Sequence, residues 1–216
     1  MKNKQTQHHE KGWERGRITS LSDGVFSFSI TLLVINLLSI SFPSGNQPLF
    51  PTLAANWPIF LSYFISFIVV GRYWMAHARL FQNIQDFDGT LFNLNLLLLF
   101  FIAVLPFPTE ILGTHINDRD AIIFYAFMLA CTGFAEYAIG FHAYHHHKLM
   151  RQNQSEKFLK VFNFIYLGTP IIFLVSIAVA LWSPSAAEIL WILIVFIKIM
   201  SRGAIGKKNS AEMAKL

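Results

Sequence analysis

The sequence predicts an all-α membrane protein with six transmembrane helices and both termini in the cytoplasm. Three observations carry this. Hydrophobic residues make up 54% of the 216 and charged ones only 13%, about half the charged share of an ordinary soluble domain. The apolar residues gather into runs long enough for a helix to cross a ~30 Å hydrocarbon core. Of the 17 Lys and Arg, all but Arg119 fall in segments that alternate onto one side, as the positive-inside rule requires of cytoplasmic loops. The net charge of +5 is therefore a topology signal, and no nucleic-acid partner is expected. Cys131 is the single cysteine, so no intrachain disulfide can form.

The first span is expected over 21–41, after a polar tail at 1–16 that lacks the pattern of a cleavable signal. Its only formal charge is Asp23. On a helical wheel Ser20, Asp23, Gly24, Ser27 and Thr31 share one face, with Phe28, Ile35 and Leu38 at its edges. Such a stripe suits a close helix–helix contact or a pore lining, not lipid. A loop from Pro43 to Asn56 leads to a second span at 57–78, which contains Arg72, Trp74 and His77. The third span, 91–110, is closed by Pro106 and Pro108. After a polar loop, Gly113 to Asp120, come a fourth span at 121–144 and a His- and Lys-rich link. The fifth span, 159–182, is expected to kink at Pro170. The sixth, 187–201, is short, with Lys198 snorkelling to the interface. The six-helix domain thus covers 17–203, with a cytoplasmic tail at 204–216.

Ionisable residues meet when these spans stand side by side. Asp23 and His77 lie within about a turn of the cytoplasmic surface; Arg72 and Glu136 lie about two turns deep. Isolated, each is costly in lipid, so either Arg72 pairs with Glu136 or Asp23 engages His77 or Arg17. The pairing can be structural or serve a proton relay. His142-x-x-His145-His146 matches one histidine box of membrane di-iron enzymes, which need about three such boxes. The remaining histidines, His8, His9, His77, His115 and His147, supply none. A basic juxtamembrane end beside anionic headgroups is the reading preferred, and no metal or other cofactor is expected. Walker, serine-hydrolase and zincin motifs are absent, as is the Thr-Val-Gly-Tyr-Gly carbonyl filter, so no enzyme activity is expected.

Arg17-x-x-x-Leu21-Ser22-Asp23 resembles the first-helix signature of the transmembrane protein 175 family, the endosomal and lysosomal potassium channels and their bacterial relatives. Trp74-Met-Ala-His77, followed by Phe81, resembles the family's second helix. Asn93, followed by Leu105-Pro-Phe-Pro-Thr109, resembles its third. The resemblance implies a potassium channel fold without a carbonyl filter and, for a one-repeat chain, a homotetramer in the cell membrane with helix 1 around a central pore. It also implies a hydrogen-bonded network of Arg17, Ser22 and Asp23 with Trp74 and His77 that packs helix 1. Potassium is then the permeant ion. Phe28, Thr31, Leu32 and Ile35 are the expected pore lining. Two positions depart from the family pattern: Leu21 stands where the signature has Phe, and Phe28 where the main constriction is usually Ile. A secondary transporter coupled to protons or other ions, using Asp23, Arg72, His77 and Glu136, is the alternative. Against it, the first span shows no helix-breaking residue, and discontinuous helices mark transporter sites.

Overall fold

The computed structural model describes residues 2–42, 48–115, 117–145, 149 and 156–191, with side chains for all of these except 2–15 and 156–165. The elements formed by the described residues are all helices. Helix α1 (Lys2–Leu32) runs without interruption from the polar tail into the first span and continues as a 3-10 segment, Leu33–Ser39. Helix α2 (Leu49–Ala55) occupies the stretch expected to be a plain loop; α3 is Trp57–Asn83, α4 Gly89–Val104, α5 Pro106–Thr114, α6 Arg119–His145 and α7 Glu156–Ala180. Residues 184–191 form a last helical stretch, α8. The remainder of the expected sixth span and the C-terminal tail lie outside the described residues.

Among the described residues four stretches are long and apolar enough to cross a membrane: Gly16–Ser39, Trp57–Asn83, Gly89–Thr114 and Arg119–His145. The chain is a multi-pass membrane protein. Local chemistry sets the boundaries. Asp88 caps α4 by accepting from the Leu91 N–H at 2.7 Å, and Asp118 does the same for α6 through Asp120 and Ala121, as short acidic side chains do at helix starts. Pro106 breaks the third span, because a proline lacks the N–H that the Ile102 carbonyl would receive. Leu105 stays in the helical region, and α5 restarts with Pro106 in its first turn, a position where the missing donor costs nothing. Pro170, by contrast, is accommodated inside the continuous α7.

Helix α6 is the most enclosed element and packs against α4, α5 and α7. Its buried side is rich in Ala, Gly and Thr, which lets backbones approach closely; a Cβ at Gly133 would stand 3.0 Å from the ring of Pro170. On the other side of the subunit α1 packs on α3 and α4. Its buried residues are Ser22, Phe26, Ser29, Leu33, Asn36 and Ile40. Their alternating steps of four and three describe a single seam.

Candidate functional site

Everything the seam leaves outside forms the second face of the first span. Phe28 is 66% exposed, Ile35 52% and Leu38 79%; Ser20, Gly24, Ser27 and Thr31 are exposed beside them, and Leu32 is half-buried at the edge. The polar stripe expected from the sequence therefore points away from the subunit's own core, in company with large apolar side chains. Thr31 donates its hydroxyl hydrogen to the Phe28 carbonyl at 2.8 Å. With the hydrogen so engaged, the oxygen's lone pairs are free to face a cation or water. Beyond Leu32 the geometry changes. In a 3-10 helix residues i and i+3 eclipse, so Ile35 and Leu38 stack in one line on the exposed face and Leu33 and Asn36 in another on the buried face. The first span is thus not the uniform α-helix that the wheel assumed.

The buried seam carries the packing network. Ser22 donates to the Ile18 carbonyl at 2.9 Å and accepts from the Asn95 amide nitrogen at 3.0 Å. The Asn95 oxygen then faces His77 Nε2 at 2.9 Å. Because that oxygen can only accept, Nε2 must carry the hydrogen, which fixes the ring tautomer of a neutral His77. Phe81 stacks on the imidazole with centroids 3.9 Å apart, and Phe26 closes it from helix α1. Both Ser22 and Asn95 are fully buried. Such a connected chain is strengthened by lying where water does not reach, although His77 Nδ1, the acceptor in this tautomer, has no hydrogen-bond partner among the described residues.

Two details are set here by the structure. Of the partners expected around Asp23, the Trp74 indole donates to it at 2.8 Å, while the charge of Asp23 also acts on His77. The physical reason is rotation. His77 lies three residues beyond Trp74 on α3 and turns into the core, where Asn95 meets it, while the half-buried Asp23 stays beside the exposed Trp74. The asparagine quoted from the third helix, Asn93, is exposed, and the working residue is Asn95. In the structure Asn95 shares a seam with Leu91, Leu98 and Ile102, all buried. Leu21 is exposed on α1. Arg17 is exposed and Arg72 half-buried. Glu136 is buried on α6, close enough to Tyr73, the neighbour of Arg72, to act on it electrostatically. Tyr73 in turn donates to the Leu129 carbonyl at 2.9 Å, which holds α3 against α6 at this depth.

Two polar ties toward the far end of the first span had no counterpart in the sequence reading. Ser29 donates to the Ile102 carbonyl at 2.6 Å, and the Asn36 amide donates to the Pro106 carbonyl at 3.1 Å. A further cluster lies deeper, where the Thr109 hydroxyl donates to Leu105 at 2.8 Å and sits 2.9 Å from Ser66, itself 2.8 Å from Tyr125. At the C-terminal end of α6 His142 Nε2 lies 2.8 Å from Asp88 Oδ2, and His145 uses Nδ1 on the Phe141 carbonyl at 3.0 Å. Among the described residues no three His, Cys, Asp or Glu converge on a metal-sized site. His146 and His147, and the side chains of His8 and His9, lie outside the described residues.

Residues 17–106 match the family model described as the endosomal/lysosomal potassium channel TMEM175. A potassium channel of Streptomyces collinus is 38% identical over 110 residues, which is 50% of this chain and 52% of that protein. A potassium channel of Chryseobacterium is 35% identical over 121 residues, covering 56% and 60%. The endosomal/lysosomal proton channel TMEM175 of Mus musculus is 35% identical over 97 residues, 42% of this chain and 19% of that one. These matches span about half the length of the bacterial relatives and less of the animal one. Among solved structures, the lysosomal potassium-selective channel TMEM175 homolog from Chamaesiphon minutus superposes with a TM-score of 0.73 at 26% identity, over 87% of this chain and 97% of that one. Over residues 17–106, which hold the first-helix signature, the Trp74–His77 pair, Asn95 and the Pro106 break, the chain is similar to the TMEM175 family.

Proposed function

We propose that this chain is one subunit of a homotetrameric, potassium-selective cation channel of the cell membrane. Its six spans leave both termini in the cytoplasm, and the pore is lined by Phe28, Thr31 and Ile35 from the first span of four copies, with Leu32 as the neighbour that a small helix rotation would bring in. The observation that carries this reading is the two-faced first span. One side is sealed onto α4 and the start of α5 by Ser22, Ser29 and Asn36; the other presents Thr31 among exposed Phe28 and Ile35. One copy cannot enclose a pathway with that face, but several copies around an axis can. The naming of bacterial relatives as potassium channels supports the choice of ion. Selectivity then rests on side chains: a ring of Thr31 hydroxyls offers lone pairs to a cation, while a ring of Phe28 makes a hydrophobic constriction that gates by dewetting.

The two positions fail differently when changed. Phe28→Ala widens the narrowest point, raises flux and weakens discrimination between potassium and sodium. Thr31→Val keeps the shape and removes the oxygen, lowering potassium preference without raising conductance. Reversal potentials under bi-ionic conditions read both, and unchanged potential and conductance in both variants would remove helix α1 from the pathway. The animal relatives are named proton channels, which favours a second reading in which protons also pass. A reversal potential that follows a pH gradient in symmetrical potassium tests that reading. Discrete single-channel openings in a planar bilayer separate either from the secondary transporter built on Asp23, Arg72, His77 and Glu136.

A further inference from the structure

We propose that Ser29 and Asn36 are positioning residues that set the rotation of helix α1, so that Thr31 rather than Leu32 faces the pathway. The inference rests on helix α1 lining the pore. It starts from a break of pattern: the apolar helix seam is polar at Ser22, Ser29 and Asn36, seven residues apart, and two of these, Ser29 and Asn36, lie beyond the His77 network. Each of the two binds a backbone carbonyl on the third span. Pro106 withholds its N–H from Ile102, whose carbonyl keeps only the 3.3 Å contact from Leu105 and takes the Ser29 hydroxyl at 2.6 Å. Asn36 reaches the Pro106 carbonyl, one turn further along. Ser22 binds Asn95 and Ser29 binds Ile102 at the same sequence offset of 73, as two helices running in parallel require.

Three ties along one line fix the azimuth of a rod. On an α-helix Thr31 lies about 200° around from Ser29, opposite the seam, whereas Leu32 lies about 60° from it. That agrees with an exposed Thr31 and a half-buried Leu32. Ser22 holds the cytoplasmic end through the His77 network. Among the described residues, Ser29 and Asn36 hold the outer half in hydrogen bonds to the third span, including the 3-10 stretch where the residues per turn change. The proline break is therefore the anchor that turns a hydroxyl ring, and not a leucine ring, toward the ion.

The test uses full-length protein in liposomes, with Cys131→Ser as background and Thr31→Cys or Leu32→Cys added. A water-soluble methanethiosulfonate reagent reports which position faces water. In the parent, Thr31→Cys reacts faster than Leu32→Cys. Adding Ser29→Ala or Asn36→Leu lowers that ratio by roughly fivefold, the equilibrium worth of one neutral hydrogen bond, whereas Ser29→Thr, which keeps the hydroxyl, restores it. Without added cysteines, the same substitutions shift the bi-ionic reversal potential toward that of Thr31→Val. Size-exclusion profiles establish assembly; if Asn36→Leu fails to assemble, Ser29→Ala decides. An unchanged ratio and potential in Ser29→Ala, with both sites reactive, overturns the positioning role and leaves the pore intact. Reaction at neither cysteine in the parent overturns the pore reading and this inference with it.

Discussion

Asp23 and Asn95 stand side by side in the packing of helix α1, but their chemistry makes different demands. The Asp23 carboxylate is half-buried and accepts from a neutral indole. Asp23→Asn keeps an oxygen in the same place and exchanges a charged acceptor for a neutral one, a loss of about 1 kcal/mol. Were the group instead half of a buried ion pair, removing its charge would cost about 3–5 kcal/mol. Asn95→Leu leaves Ser22 and His77 both without their shared partner, at about 1–3 kcal/mol for each stranded group. Thermal unfolding in detergent is expected to rank wild type above Asp23→Asn and both well above Asn95→Leu. If Asp23→Asn fails to assemble while Asn95→Leu is near normal, the roles given to the two residues are reversed. The sequence could not separate Asn95 from Asn93. Helix α4 is apolar on every side, so no polar face marked one of two asparagines lying about 200° apart.

Between elements, the closest approach in the outer half is α5 against α3. A Cβ at Gly113 would stand 2.5 Å from Ser62 Oγ and 3.1 Å from the Ile59 Cα. The hydroxyl can move only by giving up its 3.0 Å bond to the Ile59 carbonyl, and the backbone contact cannot move without parting the helices. Gly113→Ala is therefore expected to cost about 1–3 kcal/mol, as overpacking does, read as a lowered midpoint of thermal unfolding. Adding Ser62→Ala removes the clashing oxygen and should recover part of the loss. A double variant no better than the single would locate the strain at Ile59 instead. The polar loop predicted from Gly113 to Asp120 gave no hint of this contact. Gly113 is the eighth residue of α5 (Pro106–Thr114), and a glycine there signals close approach only once the neighbouring helix is known.

For the whole molecule, the exposed line of Ile35 and Leu38 is the feature that assembly has to answer. Leu38 is 79% exposed and Ile35 52%, and the 3-10 geometry stacks them. In a fourfold assembly around α1 each Leu38 lies near its symmetry copies. Leu38→Cys in a Cys131→Ser background is expected to give covalent dimers under mild oxidation, whereas Ile40→Cys, buried within the subunit, gives none. Native mass spectrometry should show four subunits. A detergent-stable monomer as the sole species, with no cross-link at Leu38→Cys, would refute the assembly.

The composition, the apolar runs and the one-sided distribution of Lys and Arg settled the all-helical membrane class, because transfer into hydrocarbon is a property of side chains taken singly. The family resemblance at Ser22, Asp23, Trp74 and His77 likewise pointed to residues that hydrogen-bond around helix α1. Which of them touch was decided only in three dimensions. Trp74 and His77 are three residues apart, yet one bonds Asp23 and the other Asn95, since a fraction of a turn sends neighbouring side chains to different partners. The ties of Ser29 and Asn36 to the third span belong to the same category. Their acceptors are backbone carbonyls, which every residue carries. What selects those two is the missing N–H of Pro106 and the register of two parallel helices, a relation between distant parts of the chain that the sequence order of neither contains.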